Sequence, residues 1–270
     1  LVLTEIAYAK VNLALHVRHR REDGYHELET LFAFADVGDR LTARGSEVDK
    51  LRIIGEFAAE LAAPFGNIVS RALGVLPRAD GLDIELEKNL PVAAGLGGGS
   101  ADAGAIFRLV ERTHGLPDDW LARAARLGAD VPACVESVTC VGRGTGADIE
   151  TVASDLSSTP ILMVNLREEM PTGPVFSGWD GIDRGPLPQG PVSRIAAEGR
   201  NDLEEAAIAI CPGIATVLAS LRKTDAFLVR MSGSGATCFA LYHNHDAMKR
   251  AAESIAQDYP GWWIKTGSLR

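Results

Sequence analysis

Three groups of residues in this chain have the types and spacing to handle a phosphate. The first is Pro91, Val92, Ala93, Ala94, Gly95, Leu96, Gly97, Gly98, Gly99, Ser100 and Ala101, with glycine at 95 and at 97–99. Glycine has no Cβ to obstruct an approaching ligand and enters φ > 0 without steric cost, so such a loop can turn several N–H groups toward one point. The residues after it, Ser100 to about Thr113, read as a helix. A glycine-rich loop feeding a helix N-terminus is an anion site, because unpaired N–H groups and the positive dipole end meet there. The expected anion is a nucleotide polyphosphate. A P-loop is excluded, since no lysine follows the glycines, and a dinucleotide fingerprint would need glycine where Ser100 stands. The preceding Leu82–Lys88 alternates apolar and charged residues, which describes a half-exposed antiparallel strand and not the core strand of a parallel sheet.

Phosphoryl transfer also needs a cation near the bridging oxygens and help for the attacking hydroxyl. Lys10 is the candidate cation, on the polar side of an otherwise apolar strand; an ordinary exposed lysine is the alternative. Asp130, in Leu127-Gly-Ala-Asp-Val-Pro132, is the candidate base, with a capping or turn residue as the alternative. Val131-Pro132 favours extended backbone after it. The third group, Ser232, Gly233, Ser234 and Gly235, lies between two apolar strands and could approach a phosphate or the first glycine loop.

The elements that must position these groups follow from periodicity. Strands are expected at Leu3–Val17, Leu28–Phe34, Asp39–Arg44, Leu82–Lys88, Val138–Val141, Pro160–Asn165, Ala226–Met231 and Thr237–His243. Helices are expected at Asn67–Leu76, Trp120–Leu127, Asp202–Ile210, Ile214–Leu221 and His245–Asp258, besides the one after the glycine loop. The Gly- and Pro-rich stretch Met170–Pro191 reads as a loop near the cleft. The mixture indicates an α+β fold over two lobes.

At 270 residues the chain fits one large or two moderate domains, and 46% hydrophobic with 23% charged residues is an ordinary globular composition. A net charge of −9 argues against a nucleic-acid binder but leaves room for a local anion site. Cys134, Cys140, Cys211 and Cys238 form no Cys-x-x-Cys pair, so free buried thiols are expected, and nothing near His243 and His245 completes a metal site. No apolar run approaches the roughly 20 residues that cross a bilayer and no signal peptide is visible, so no membrane association and a cytoplasmic location are expected.

Lys10-Val-Asn12, the run Pro91–Ala101 and Ser232-Gly-Ser-Gly-Ala236 occur in an order that resembles the three motifs of the GHMP kinases. Within that superfamily, Asp23-Gly-Tyr-His26, Leu127–Pro132 and Asn201-Asp-Leu-Glu204 are similar to the branch acting on a cytidylyl-linked methylerythritol. The resemblance covers about Ala7 to Leu241 and implies a two-lobed GHMP kinase fold. An N-terminal ATP-binding lobe would span residues 1–152 and a C-terminal substrate lobe residues 153–270. It implies transfer of the ATP γ-phosphate to the 2-hydroxyl of that substrate, a step of the non-mevalonate route to isoprenoid precursors. ATP would be the co-substrate, with Mg²⁺ at ligands that the resemblance does not assign. The partners implied are these small molecules, with the chain a monomer or weak homodimer. By matched position Asp130 is the catalytic aspartate and Lys10 its partner. Asn12 and His26 would hold the substrate, Tyr25 would stack on its cytosine, Phe176 would cover the other face, and Thr172 would contact a hydroxyl or phosphate. Asn67 and Lys88 match positions beside the adenosine. The loop departs from the motif in reading Gly-Ser100-Ala101-Asp102 where a pair of serines is more typical, which removes a second hydroxyl contact.

Overall fold

The alternating N-terminus forms strand β1 (Val2–Arg20), which pairs antiparallel along nearly its whole length with β2 (His26–Ser46). The computed structural model describes residues 2–61 and 67–270. The two strands expected at Leu28–Phe34 and Asp39–Arg44 are one continuous strand. A Cβ at Gly38 would lie 2.0 Å from the Ala7 carbonyl oxygen, and a register shift falls between Tyr8 and Lys10. Such a bulge changes which residues face inward, so the alternation breaks although the strand continues.

β2 is the centre of a six-stranded sheet. Its first half pairs with β5 (Cys140–Gly144), which carries β6 (Asp148–Thr151). Its second half pairs with β4 (Gly81–Glu87), which takes β3 (Lys50–Ile54) as a parallel neighbour. Helices α1 (Ile68–Val75), α2 (Gly98–His114), α3 (Trp120–Leu127) and α4 (Val131–Glu136) pack on this sheet. The core between them includes Phe34, Ile84, Leu86, Ile106 and Phe107. The backbone after Asp130 is helical and not extended as Pro132 suggests, because Pro132 falls in the first turn of α4, where its missing N–H costs nothing.

The second sheet orders its strands β10-β7-β9-β8, with β7 (Pro160–Asn165), β8 (Leu228–Met231), β9 (Cys238–Leu241) and β10 (Trp263–Ser268). All six residues of β7 are buried, as its unbroken apolar run implies. Around it lie α5 (Thr172–Ser177), α6 (Val192–Glu198), α7 (Glu204–Ile210), α8 (Gly213–Arg222) and α9 (His245–Asp258). The stretch expected as plain loop at Met170–Pro191 therefore contains a short helix.

β1 ties the two halves together. The Leu15 N–H donates to the Arg200 carbonyl (2.8 Å), and the Asp202 N–H returns a bond to Leu15 (2.9 Å). Asp202 Oδ2 accepts from the Val17 N–H (2.8 Å). Buried Arg230 donates to the carbonyls of Leu13, Ala196 and Gly199, and burial pushes its pKa down to about 10. A shared core of Val11, Leu13, Leu31, Ile161, Met163 and Phe239 fills the space between the sheets. No helix among the described residues is long and apolar enough to cross a membrane.

Candidate active site

The glycine loop enters α2 through Gly97 (φ 61°), and the helix begins at Gly98, two residues before the expected Ser100. Gly95 (φ +76°) faces the third glycine group, where a Cβ would lie 2.2 Å from the Ser232 carbonyl oxygen and 2.9 Å from that of Gly235. Ser232 Oγ donates to the Gly95 carbonyl (2.8 Å) and accepts from the Asn12 N–H (3.2 Å). The Lys10 N–H donates to Leu96 (2.9 Å) and the Thr237 N–H to Ala94 (3.1 Å). Three sequence-distant segments thus form one cradle. Gly95→Ala is expected to cost about 1–3 kcal/mol of stability, because the methyl meets backbone that has no rotamer to yield. Thermal melts check this: the variant should melt lower and lose the rise in Tm that an ATP analogue gives the parent protein.

Lys10 and Asp130 meet at this cradle. Lys10 Nζ lies 3.0 Å from Asp130 Oδ2, with side chains 4% and 33% exposed. Asp130 occupies the N-cap position of α4, yet its side chain makes no capping bond and is left for the lysine. Lys10 Nζ also donates to Asn12 Oδ1 (2.9 Å) and sits 5.1 Å from the Phe32 ring centroid. Asn12 Nδ2 donates to Thr30 Oγ1 (2.7 Å), and Thr30 donates to the Ala14 carbonyl (2.8 Å). This chain of bonds fixes the Asn12 amide and, through it, the ammonium.

One cleft of about 650 Å³ runs from the cradle to an aromatic end. Lys10, Asn12, Tyr25, His26, Asp130, Thr172 and Phe176 all line it. His26 packs against Phe176 (centroids 5.1 Å apart) and edge-on to Trp179 (5.8 Å). Its Nε2 is buried with no hydrogen-bond partner. Burial, then the Arg20 charge, lower the His26 pKa, so the imidazole is neutral near pH 7 with one donor and one acceptor to offer. Tyr25 stands 64% exposed at the rim. Thr172 Oγ1 lies 3.3 Å from Ser234 Oγ, which brings α5 to the third glycine group.

Models of known families match the chain twice, as the GHMP kinases N terminal domain over residues 62–137 and as GHMP kinases C terminal over residues 190–261. A 4-diphosphocytidyl-2-C-methyl-D-erythritol kinase of Erythrobacter litoralis is 59% identical over 100% of both chains. That of Novosphingobium aromaticivorans is 60% identical over 99% of this chain and 93% of its own. The chain belongs to the 4-diphosphocytidyl-2-C-methyl-D-erythritol kinase family. It is a small-molecule kinase of the GHMP fold. A crystal structure of 4-(cytidine 5'-diphospho)-2C-methyl-D-erythritol kinase superposes with a TM-score of 0.80 at 33% identity, covering 99% of both chains. A homoserine kinase from Cytophaga hutchinsonii shares the fold, with a TM-score of 0.71 at 18% identity over 99% of this chain and 95% of that one.

In this GHMP kinase not every expected residue reaches the cleft. Ala93, Ala94, Gly95, Gly97, Gly98, Gly99 and Ser100 line it, as do Gly233 and Ser234. Pro91, Val92, Leu96, Ala101, Ser232 and Gly235 shape the two turns from behind and are not among the lining residues. Asn67 caps α1, its Oδ1 accepting from the Val69 N–H (2.8 Å), beside the cleft residue Ile68. Lys88 corrects the expectation of a contact beside the adenosine: its side chain is fully enclosed, bonded to Asp39 and Asp102 beneath the loop. A lysine ending an alternating strand reads as exposed, and only the approach of Gly98 and Asp102 from α2 and of Asp39 from β2 encloses it. Thr30, which lines the cleft, and Trp179, which packs on His26, carry no sequence signal, since a strand threonine and a loop tryptophan belong to no motif. Asn201, noted only as part of a motif, donates through Nδ2 to the carbonyls of Met231 and Gly233 (both 2.8 Å) and so holds the third glycine turn.

Proposed function

We propose that the chain transfers the γ-phosphoryl group of ATP to the 2-hydroxyl of 4-(cytidine 5'-diphospho)-2-C-methyl-D-erythritol. The observation that carries this reading is the Lys10–Asp130 pair, 3.0 Å apart and lining one cleft with the glycine loop. The triphosphate lies along Gly95–Ser100, where backbone N–H groups and the start of α2 meet its charge. Asp130 accepts the hydroxyl proton or orients the hydroxyl for in-line attack, and Lys10 stabilises charge on the transferring group. Acceptor contacts come from both halves: Asn12, Tyr25 and His26 from the first, Thr172 and Phe176 from the second. Neutral His26 offers its unpartnered Nε2 to the edge of the cytosine, while Tyr25 and Phe176 take its faces.

Mg²⁺ supplies charge neutralisation at the phosphates in such transfers. It usually takes one or two protein oxygens and the rest from phosphate and water, and Ser100 and Asp130 are cleft oxygens of that kind. The same reading divides the chain into a nucleotide lobe, residues 1–152, and an acceptor lobe, residues 153–270. It places the protein in the cytoplasm as a monomer or weak homodimer, on the non-mevalonate route to isoprenoid precursors.

The test is ADP release with the cytidylyl substrate, mevalonate and homoserine in parallel, with ³¹P NMR locating the new phosphate. Turnover only with mevalonate or homoserine would overturn the reading. Tyr25→Ala is expected to remove about 1–3 kcal/mol of base stacking and so raise KM for the cytidylyl substrate by about 5- to 150-fold. KM for ATP should stay unchanged, as the same kinetics report.

A further inference from the structure

The aromatic end of the cleft has walls from both halves of the molecule, and one side chain behind those walls ties them together. Arg20 ends β1 and pairs directly with His26, the first residue of β2. Residues opposite each other in an antiparallel pair send their side chains to the same face. Both of these meet the end of α5. His26 packs against Phe176 and Trp179, while Arg20 Nη2 donates to the carbonyls of Ser177 (2.9 Å) and Trp179 (3.0 Å). Carbonyls at a helix C-terminus have no partner further along the helix, so a side-chain donor there satisfies them and fixes where the chain leaves.

The inner side of α5 is held by the second half's own packing, since Val175 is buried in the core that contains Leu203 and Ala207. Phe176 is only half-buried and lines the cleft. Past Trp179, the chain is tied to the β1–β2 hairpin again at residues 183–187: Arg18 bonds Asp183, and the Leu187 N–H donates to Glu29 Oε2 (2.9 Å). Over residues 172–182, no other side chain of the hairpin hydrogen-bonds to this segment among the described residues. Arg20 is thus the polar tie at the point where Phe176 and Trp179 approach His26, and it is not itself a lining residue of the cleft.

We propose that Arg20 sets the base-binding end of the cleft: by fastening the end of α5 to the hairpin it holds the Phe176 ring in place beside His26 and Tyr25, so that a pyrimidine-bearing acceptor binds between groups already in position. Arg20 acts through Phe176 and is a positioning residue. An aromatic wall fixed in advance need not be ordered when the ligand arrives, and that saving appears as affinity for the acceptor and not as a faster chemical step. The inference rests on the reading that the aromatic end takes the cytosine.

Arg20→Met keeps much of the length and removes the donors. Steady-state kinetics at pH 8 isolate the tie, because the His26 imidazole, its pKa already lowered from 6.5, is neutral there with or without a neighbouring cation. KM for the cytidylyl acceptor should rise about 5- to 20-fold, the worth of two modest hydrogen bonds, with kcat and KM for ATP within about twofold of the parent. In a Phe176→Ala background the same substitution should add nothing, because the ring through which Arg20 acts is gone. An unchanged acceptor KM in Arg20→Met, an equal rise in KM for ATP, or losses that multiply in the double variant overturn the proposal. Arg20 is exposed, so its loss opens no cavity; should Arg20→Met not fold, Arg20→Gln, whose shorter amide cannot span both carbonyls, is measured in its place with the same expected and overturning results. If the reading of the aromatic end fails, the parent protein itself does not turn over the cytidylyl acceptor and the inference falls with it, whereas failure of the inference alone leaves the parent active and the variant equal to it.

Discussion

Asp130→Ala is expected to lower kcat by about 10²- to 10⁴-fold, the usual worth of a positioned general base, while an ATP analogue binds within a few-fold of the parent affinity. The reason is geometric. Asp130 is the carboxylate that Lys10 holds at the cradle, and its side chain caps nothing in α4, so its loss removes chemistry and not a helix end. The pair opens on the cleft, and with Asp130 a third exposed the stability cost stays modest. Single-turnover kinetics with calorimetric binding of the analogue separate the two effects. Parent-level turnover in the alanine variant would remove Asp130 from the mechanism. Asp130→Asn sharpens the result: it keeps a polar group for orienting the hydroxyl but cannot accept a proton, so activity near the parent level there would leave Asp130 an orienting role only.

Lys10→Met is expected to cost about 10²- to 10³-fold in kcat, comparable to deleting a group that stabilises charge in a transition state. Methionine keeps the length and the apolar contact with Phe32, so the change isolates the ammonium. Asn12 Oδ1 loses its donor at the same time, and a higher KM for the acceptor should accompany the fall in kcat. Arginine should not rescue. A Cβ at Gly97 would already lie 2.9 Å from Lys10 Cε, and a guanidinium is larger and planar where the loop leaves a slot for a straight chain. The double variant Lys10→Met/Asp130→Ala should lose less than the product of the two single losses, because the residues act as one unit. Losses that multiply independently would show that the contact does not matter to catalysis.

Much of this architecture was legible where one physical signal dominated. α3 was bounded correctly by its amphipathic pattern and terminal glycine, and β7 by its unbroken apolar run. Other elements lack such a signal. α4 carries a misleading proline in its first turn, α6 is only seven residues long, and β10 has a mostly exposed, mixed pattern of Trp, Ile, Lys and Thr. The merging of two expected strands into β2 depends on a bulge that exists only when β1 lies alongside.

Local chemistry by itself determined that this chain carries a glycine-rich loop suited to an anion, a candidate ammonium and carboxylate, and a second glycine turn, since each depends only on residue type and neighbours within a few positions. Their order carried the family. Tertiary structure alone decided that Lys10 and Asp130 touch, that Gly95 closes on Ser232, and that Lys88 lies sealed beneath the loop with Asp39 and Asp102. These are contacts between residues 14 to 137 positions apart, and which side chain is exposed or buried across such distances is set by how sheets and helices pack, a property that no local pattern encodes.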